Sequence, residues 1–102
     1  MNRYAITPLA KDPVVLKLDD CADWAALHER IRKTFGFPAY YGRNWDAMWD
    51  CLTDVFLPET PRHILVEGFA AMPEDLQAYA QPMREIFRDL QEKYPWVTVT
   101  YR

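Results

Sequence analysis

The spacing of hydrophobic positions changes several times along the chain, and each change predicts an element. Val14, Val15 and Leu16, followed by Lys17 and Leu18, form a short β-branched run that reads as a first strand. From Trp24 the spacing lengthens to that of a helix, with Trp24, Leu27, Ile31 and Phe35 on one face. Asp19 or Asp20 can cap this helix, with Asp23 in its first turn. Arg30, Arg32 and Lys33 suit its C-terminal dipole, and Gly36 can end it.

After a loop beginning at Phe37 and Pro38, Asn44 can cap a second helix. Trp45, Met48, Trp49, Leu52, Val55 and Phe56 form its apolar arc, with Cys51 at the border. Pro58 and Pro61 bracket a turn, and His63 to Glu67 is a second strand closed by Gly68. Pro73 can open a short helix through Tyr79, and Pro82 suits the first position of another, whose buried face is Met83, Ile86, Phe87, Leu90 and Tyr94. Val97 to Tyr101 is a last strand. Strands separated by helices need crossover connections, so the expected fold is α/β, a three-stranded parallel sheet covered by helices.

Length changes this picture little. The 102 residues suffice for a single domain, 1–102, with an N-terminal arm over 1–13. Charge changes it more. A formal net charge of −3 does not provide the basic field that phosphate-backbone binding needs, so no direct nucleic-acid contact is expected. No run approaches a membrane span and no secretory h-region is visible, which points to the cytoplasm and away from membranes. Cys21 and Cys51 lack a C-x-x-C spacing and read as small, reduced core residues.

The informative charges are on the second helix. Asp46, Asp50 and Asp54, with Thr53, lie opposite its apolar arc as one acidic strip. A solvated face is the common reason for such a strip. Against it, like charges four residues apart weaken a helix by about 0.2–0.5 kcal/mol per pair, and this face has no Lys or Arg among them. A shared hard cation is a second reading, but a convex helix face supplies few further ligands. Paired-carboxylate catalysis would need a pocket that shifts one pKa. The histidines do not suggest an enzyme: His28 is expected at the surface and His63 at the edge of its strand. The chain has no serine, and a Cys51 thiolate would be disfavoured by Asp50. Trp45 and Trp49 are expected in the core. Tyr40 and Tyr41, in the loop before Gly42, have weaker claims to burial and would suit a binding surface.

The run Pro38, Ala39, Tyr40, Tyr41, Gly42, Asn44, Asp46, Ala47, Trp49, Asp50, Cys51, Leu52 and Thr53 closely resembles the signature of the barstar family, intracellular inhibitors of the ribonuclease barnase. Ile86 to Asp89 resembles that family's last helix, while the segment through Pro13 has no clear counterpart. The resemblance implies a non-enzymatic inhibitor, without cofactor or metal, acting one to one as a monomer. Its loop and acidic helix would plug the basic active-site cleft of a ribonuclease or nuclease toxin, a carboxylate standing in for the RNA phosphate.

By the same resemblance Asp50 is the carboxylate that enters the phosphate site and Asp46 a second acidic contact. Tyr40, Gly42, Asn44, Trp49 and Thr53 match interface or supporting positions, and Asp89 an outlying acidic contact. Tyr41 and Asp54 complete the expected nuclease-binding set. The chain departs from the family at Arg43 (an acid there), Trp45 (aliphatic), Asp54 (glycine) and Val55 (tryptophan), changes that bear on which nuclease is bound more than on how. An alternative is a barstar-like module that binds another basic protein in a regulatory role, and a more distant one is a metal-dependent hydrolase.

Overall fold

A computed structural model describes residues 12–55 and 61–102. Most of the expected N-terminal arm, together with Phe56 and Pro58, lies outside them. Among the described residues the elements are β1 (Val14–Lys17), α1 (Trp24–Phe35), α2 (Trp45–Val55), β2 (Arg62–Glu67), α3 (Glu74–Tyr79), α4 (Gln81–Lys93) and β3 (Val97–Tyr101), with a 3₁₀ turn at Phe69–Ala71. The strands form one parallel sheet in the order β1-β2-β3, Val14 opposite Ile64 and Ile64 opposite Val99. Each crossover therefore moves one strand over in the same direction, and with the right-handed sense such connections take, all helices fall on one face. Burial agrees: Val14, Leu16, Ile64, Val66 and Val97 are buried, whereas Lys17, His63, Thr98 and Thr100 on the other face are exposed.

The expected three-stranded α/β sheet is present, and its differences from expectation are local. Asp23, not Asp19 or Asp20, caps α1, its Oδ1 accepting the N–H of Ala26 at 2.8 Å. Trp24 is consequently the first helical residue and is 52% exposed. Its place on the buried face is taken by His28, which is fully buried and not at the surface. The physical reason is partnering: both ring nitrogens of His28 are hydrogen-bonded, so its burial leaves no polar atom unsatisfied. Gly36 ends α1 in the left-handed conformation, its N–H bonding the carbonyl of Arg32.

His63 does lie at a rim, but of the central strand. It is exposed near the start of β2, where its N–H donates to Asp12 Oδ1 at 2.6 Å. The core joins the sheet to α1, α2 and α4 through Leu27, Ile31, Phe35, Met48, Leu52, Met83, Phe87 and Leu90, each fully buried. Full burial of one such side chain contributes about 1.5–3 kcal/mol. Ile86, expected among them, is only half-buried because it borders a surface groove.

Candidate functional site

The loop before α2 is built from beneath. Tyr41 is not an exposed loop tyrosine; it is 6% exposed, and its hydroxyl lies 2.8 Å from His28 Nδ1. The same hydroxyl reaches the carbonyl of Asn44 at 3.4 Å. His28 Nε2 lies 2.8 Å from the hydroxyl of Tyr79 on α3, so one imidazole ties α1 to the loop and to α3. Burial lowers the His28 pKa from 6.5 to about 4, with a smaller push from the Arg43 charge. The ring is therefore neutral at pH 7, one nitrogen donating and the other accepting. Burial pushes the Tyr41 hydroxyl well above its ordinary value, so it stays protonated and can donate.

Above that anchor, Asn44 caps α2 as expected, its Oδ1 accepting the N–H of Ala47 at 2.8 Å and its Nδ2 donating to the Gly42 carbonyl at 3.2 Å. Gly42 is exposed, yet a Cβ there would meet Asn44 Nδ2 at 3.2 Å and the Ala47 Cβ at 3.4 Å, so the cap constrains this position. Arg43 adopts a left-handed φ of 53°, which costs a non-glycine residue about 1–2 kcal/mol. Its guanidinium turns back toward Glu29 at 3.9 Å.

The three aspartates of α2 do not share one surface. A row at i, i+4, i+8 drifts about 40° round the axis per step, because four residues overshoot a 3.6-residue turn. Asp46 and Asp50 are exposed and line a groove of about 670 Å³ between α2 and α4, with Trp45, Trp49, Pro82, Glu85, Ile86 and Asp89. Asp54 lines a smaller recess of about 150 Å³ with Tyr40, Gly42, Ala47, Cys51 and again Asp50. Asp50 is thus the residue common to both. Asp54 is partly buried, and its Oδ2 is out of solvent without a hydrogen-bond partner among the described residues.

Four carboxylates face the groove, from Asp46, Asp50, Glu85 and Asp89, and among the described residues no Lys or Arg lines it. Among the described residues, Asp46 and Asp50 carry no side-chain hydrogen bond or ion pair within the chain. Arg88 stands just outside, 3.8 Å from Glu85 and 4.0 Å from Asp89, in exposed pairs worth about 0–1 kcal/mol. Of the residues expected from the sequence, Asp46, Asp50 and Asp89 line this one groove, and Glu85, which the sequence reading did not name, lines it with them. The four-residue step from Asp89 back along α4 was the available signal.

The remaining predicted residues support more than they present. Trp45 and Trp49 are half-buried, packing on the core while edging the groove. The Thr53 hydroxyl donates back to the carbonyls of Trp49 and Asp50, at 3.1 and 3.0 Å. Tyr40 is 64% exposed. The Cys51 thiol is pushed up by burial and by the charges of Asp54 and Asp50, which makes it a poor nucleophile. Both cysteines are free. Among the described residues no three His, Cys, Asp or Glu side chains converge as metal ligands, and no helix is long and apolar enough to cross a membrane.

The fold is thus a parallel three-stranded α/β domain that carries an acidic groove between its second and last helices. The barstar family model, described as "Barstar (barnase inhibitor)", matches residues 12–100, and the chain belongs to that family. It is also 35% identical over 81 residues to the Bacillus subtilis (strain 168) protein named "Putative ribonuclease inhibitor YrdF", covering 78% of this chain and 86% of that one.

Proposed function

We propose that this chain is a cytoplasmic protein inhibitor of a ribonuclease, of the toxin-immunity kind, that occupies the nuclease's active-site cleft one to one with its acidic groove and the Tyr40 to Asn44 loop. The observation that carries the reading is the placement of Asp50. Its exposed carboxylate, without a partner of its own among the described residues, stands between the four-carboxylate groove and the Tyr40 recess.

A ribonuclease presents Arg, Lys and His groups to the scissile phosphate. A carboxylate fixed on a helix offers those groups charge-assisted, partly bidentate hydrogen bonds in the phosphate's stead. The helix is rigid because Asn44 caps it and its buried face packs against the core and α4, so little ordering entropy is lost on binding. The family relationship and the name of the B. subtilis relative support the ribonuclease class. The inhibitor itself performs no chemistry.

The test is inhibition of purified barnase by the wild-type chain and by Asp50→Ala. Removing Asp50 leaves the nuclease's basic groups buried and unpaired, an expected loss of about 2–5 kcal/mol. Equal inhibition by the two proteins sinks the phosphate-mimic mechanism.

A further inference from the structure

A second recess is lined by Ala22, Asp23, Trp24, Asp75, Leu76 and Tyr79, with a volume of about 190 Å³. Among the described residues the exposed large hydrophobic side chains are Trp24, Tyr40 and Tyr79, and two of these three edge this one recess. Trp24 owes its exposure to the helix start at Asp23, and Tyr79 is tethered through its hydroxyl to His28. The Trp24 ring stands edge-on to the same His28, with centroids 6.3 Å apart, and both rings are exposed on their outer side.

We infer that this recess receives an arginine side chain of the same nuclease that the acidic groove binds, and so extends the binding face and helps choose the partner; the inference rests on the inhibitor reading above. Two aromatic rings beside two carboxylates suit a planar guanidinium, which stacks on a ring face while donating to an acid. Opposing this, α1 and α3 both begin here and each brings about half a positive charge. Asp23 and Asp75 contribute two full negative charges, and Glu74 stands in the same first turn of α3, so the net field remains negative. Asp23 and Asp75 each commit one oxygen to a helix N–H, from Ala26 and Leu76, which fixes the carboxylates.

The recess neighbours the acidic groove through one ring contact. Trp45 lines the groove, and its ring centroid lies 5.2 Å from that of Tyr79, which lines the recess. Touching rings thus link a residue that lines the groove beside Asp50 with one that lines the recess.

Two measurements decide the matter. In the first, methylguanidinium and its neutral isostere methylurea are titrated into the full chain, and the Trp24 indole N–H, assigned by its loss in Trp24→Phe, is followed by NMR. Saturable shifts with methylguanidinium alone, weakened in Asp75→Asn and unchanged in Asp50→Ala, are expected. Equal responses to both probes overturn the cation site. In the second, inhibition of barnase is compared among wild type, Trp24→Ala and Asp75→Asn. Trp24→Ala should weaken it about twofold to thirtyfold, the span between an exposed and a desolvated cation–π contact. Undiminished inhibition by both variants overturns the assignment to the partner's arginine. Failure of wild type to inhibit barnase counts against the inhibitor reading alone, because the methylguanidinium comparison still decides the recess.

Discussion

His28 on α1 and Tyr41 in the loop before α2 are joined by a 2.8 Å hydrogen bond between imidazole Nδ1 and phenol oxygen, so a buried helix residue sets the height of the loop beside Asp50. The bond requires a neutral ring when the phenol donates. This makes stability depend on pH. The folded-state pKa of about 4 lies below the ordinary 6.5, so the unfolded chain binds the proton more readily. Stability from this group is full above about pH 6.5 and is lost as pH falls toward 4. Between pH 7 and pH 5 the loss should be about 2 kcal/mol, measured by urea unfolding, and should vanish in His28→Gln. A flat stability profile over that interval would show that His28 is not neutral and buried.

Tyr41→Phe tests the same tie without changing charge. Removing the hydroxyl leaves His28 Nδ1 buried and unpaired, at an expected cost of about 1–3 kcal/mol in unfolding free energy. The loop carbonyl of Asn44 loses its contact as well. Wild-type stability in this variant would mean that water or another group replaces the phenol.

At the end of β2, Gly68 has a φ of 79°, and a Cβ there would lie 2.6 Å from the Asp19 Cβ and 2.7 Å from its backbone nitrogen. Backbone cannot yield as a flexible side chain does. Gly68→Ala should therefore lower the melting temperature sharply, by more than the roughly 1 kcal/mol typical of a point change. The loop it displaces joins β1 to α1, whose Leu18 N–H bonds the Glu67 carbonyl at 2.8 Å. A melting temperature within a degree or two of wild type would contradict this packing.

The strands and helices were legible because their signals are local: Val97 to Tyr101 reads as a strand from its β-branched alternation, Asn44 caps through its side-chain oxygen, and Gly36 ends a helix because a residue without a Cβ takes the left-handed φ at little cost. His28 was not legible. Its burial depends on partners 13 and 51 residues away, Tyr41 and Tyr79, and no spacing rule links a polar residue to acceptors that only the tertiary fold supplies. The acidic strip was half legible for a geometric reason. Helical spacing identified the row, but its drift round the axis, and the arrival of Glu85 and Asp89 from α4, divide it between a groove and a recess.

That division changes what Asp54 is expected to do. With Oδ2 out of solvent and unpartnered among the described residues, its carboxylate bears a desolvation cost that no hydrogen bond offsets. It also faces Cys51 and Tyr94, whose ionisation its charge disfavours. Asp54→Asn should thus leave the melting temperature unchanged or raise it. A fall of several degrees would reveal a partner for that oxygen.

The groove's charge predicts a division of kinetic labour among its acids. Glu85 and Asp89 are exposed on α4, Asp46 and Asp50 on α2, and together they present four negative charges on one face of a chain with net charge −3. Long-range attraction acts before contact and is screened beyond about 8–10 Å at moderate salt, so it governs association. Raising salt should slow association with barnase steeply and change dissociation much less. Glu85→Gln and Asp89→Asn should act in the same way, lowering the association rate and flattening its salt dependence. Asp50→Ala should differ in kind: its desolvated contacts form only in the docked complex, so its effect should fall mainly on dissociation. Stopped-flow association and competitive dissociation at two ionic strengths separate these terms. If Asp50→Ala slowed association alone, like its neighbours on α4, its carboxylate would be a steering charge and not the group seated in the phosphate site.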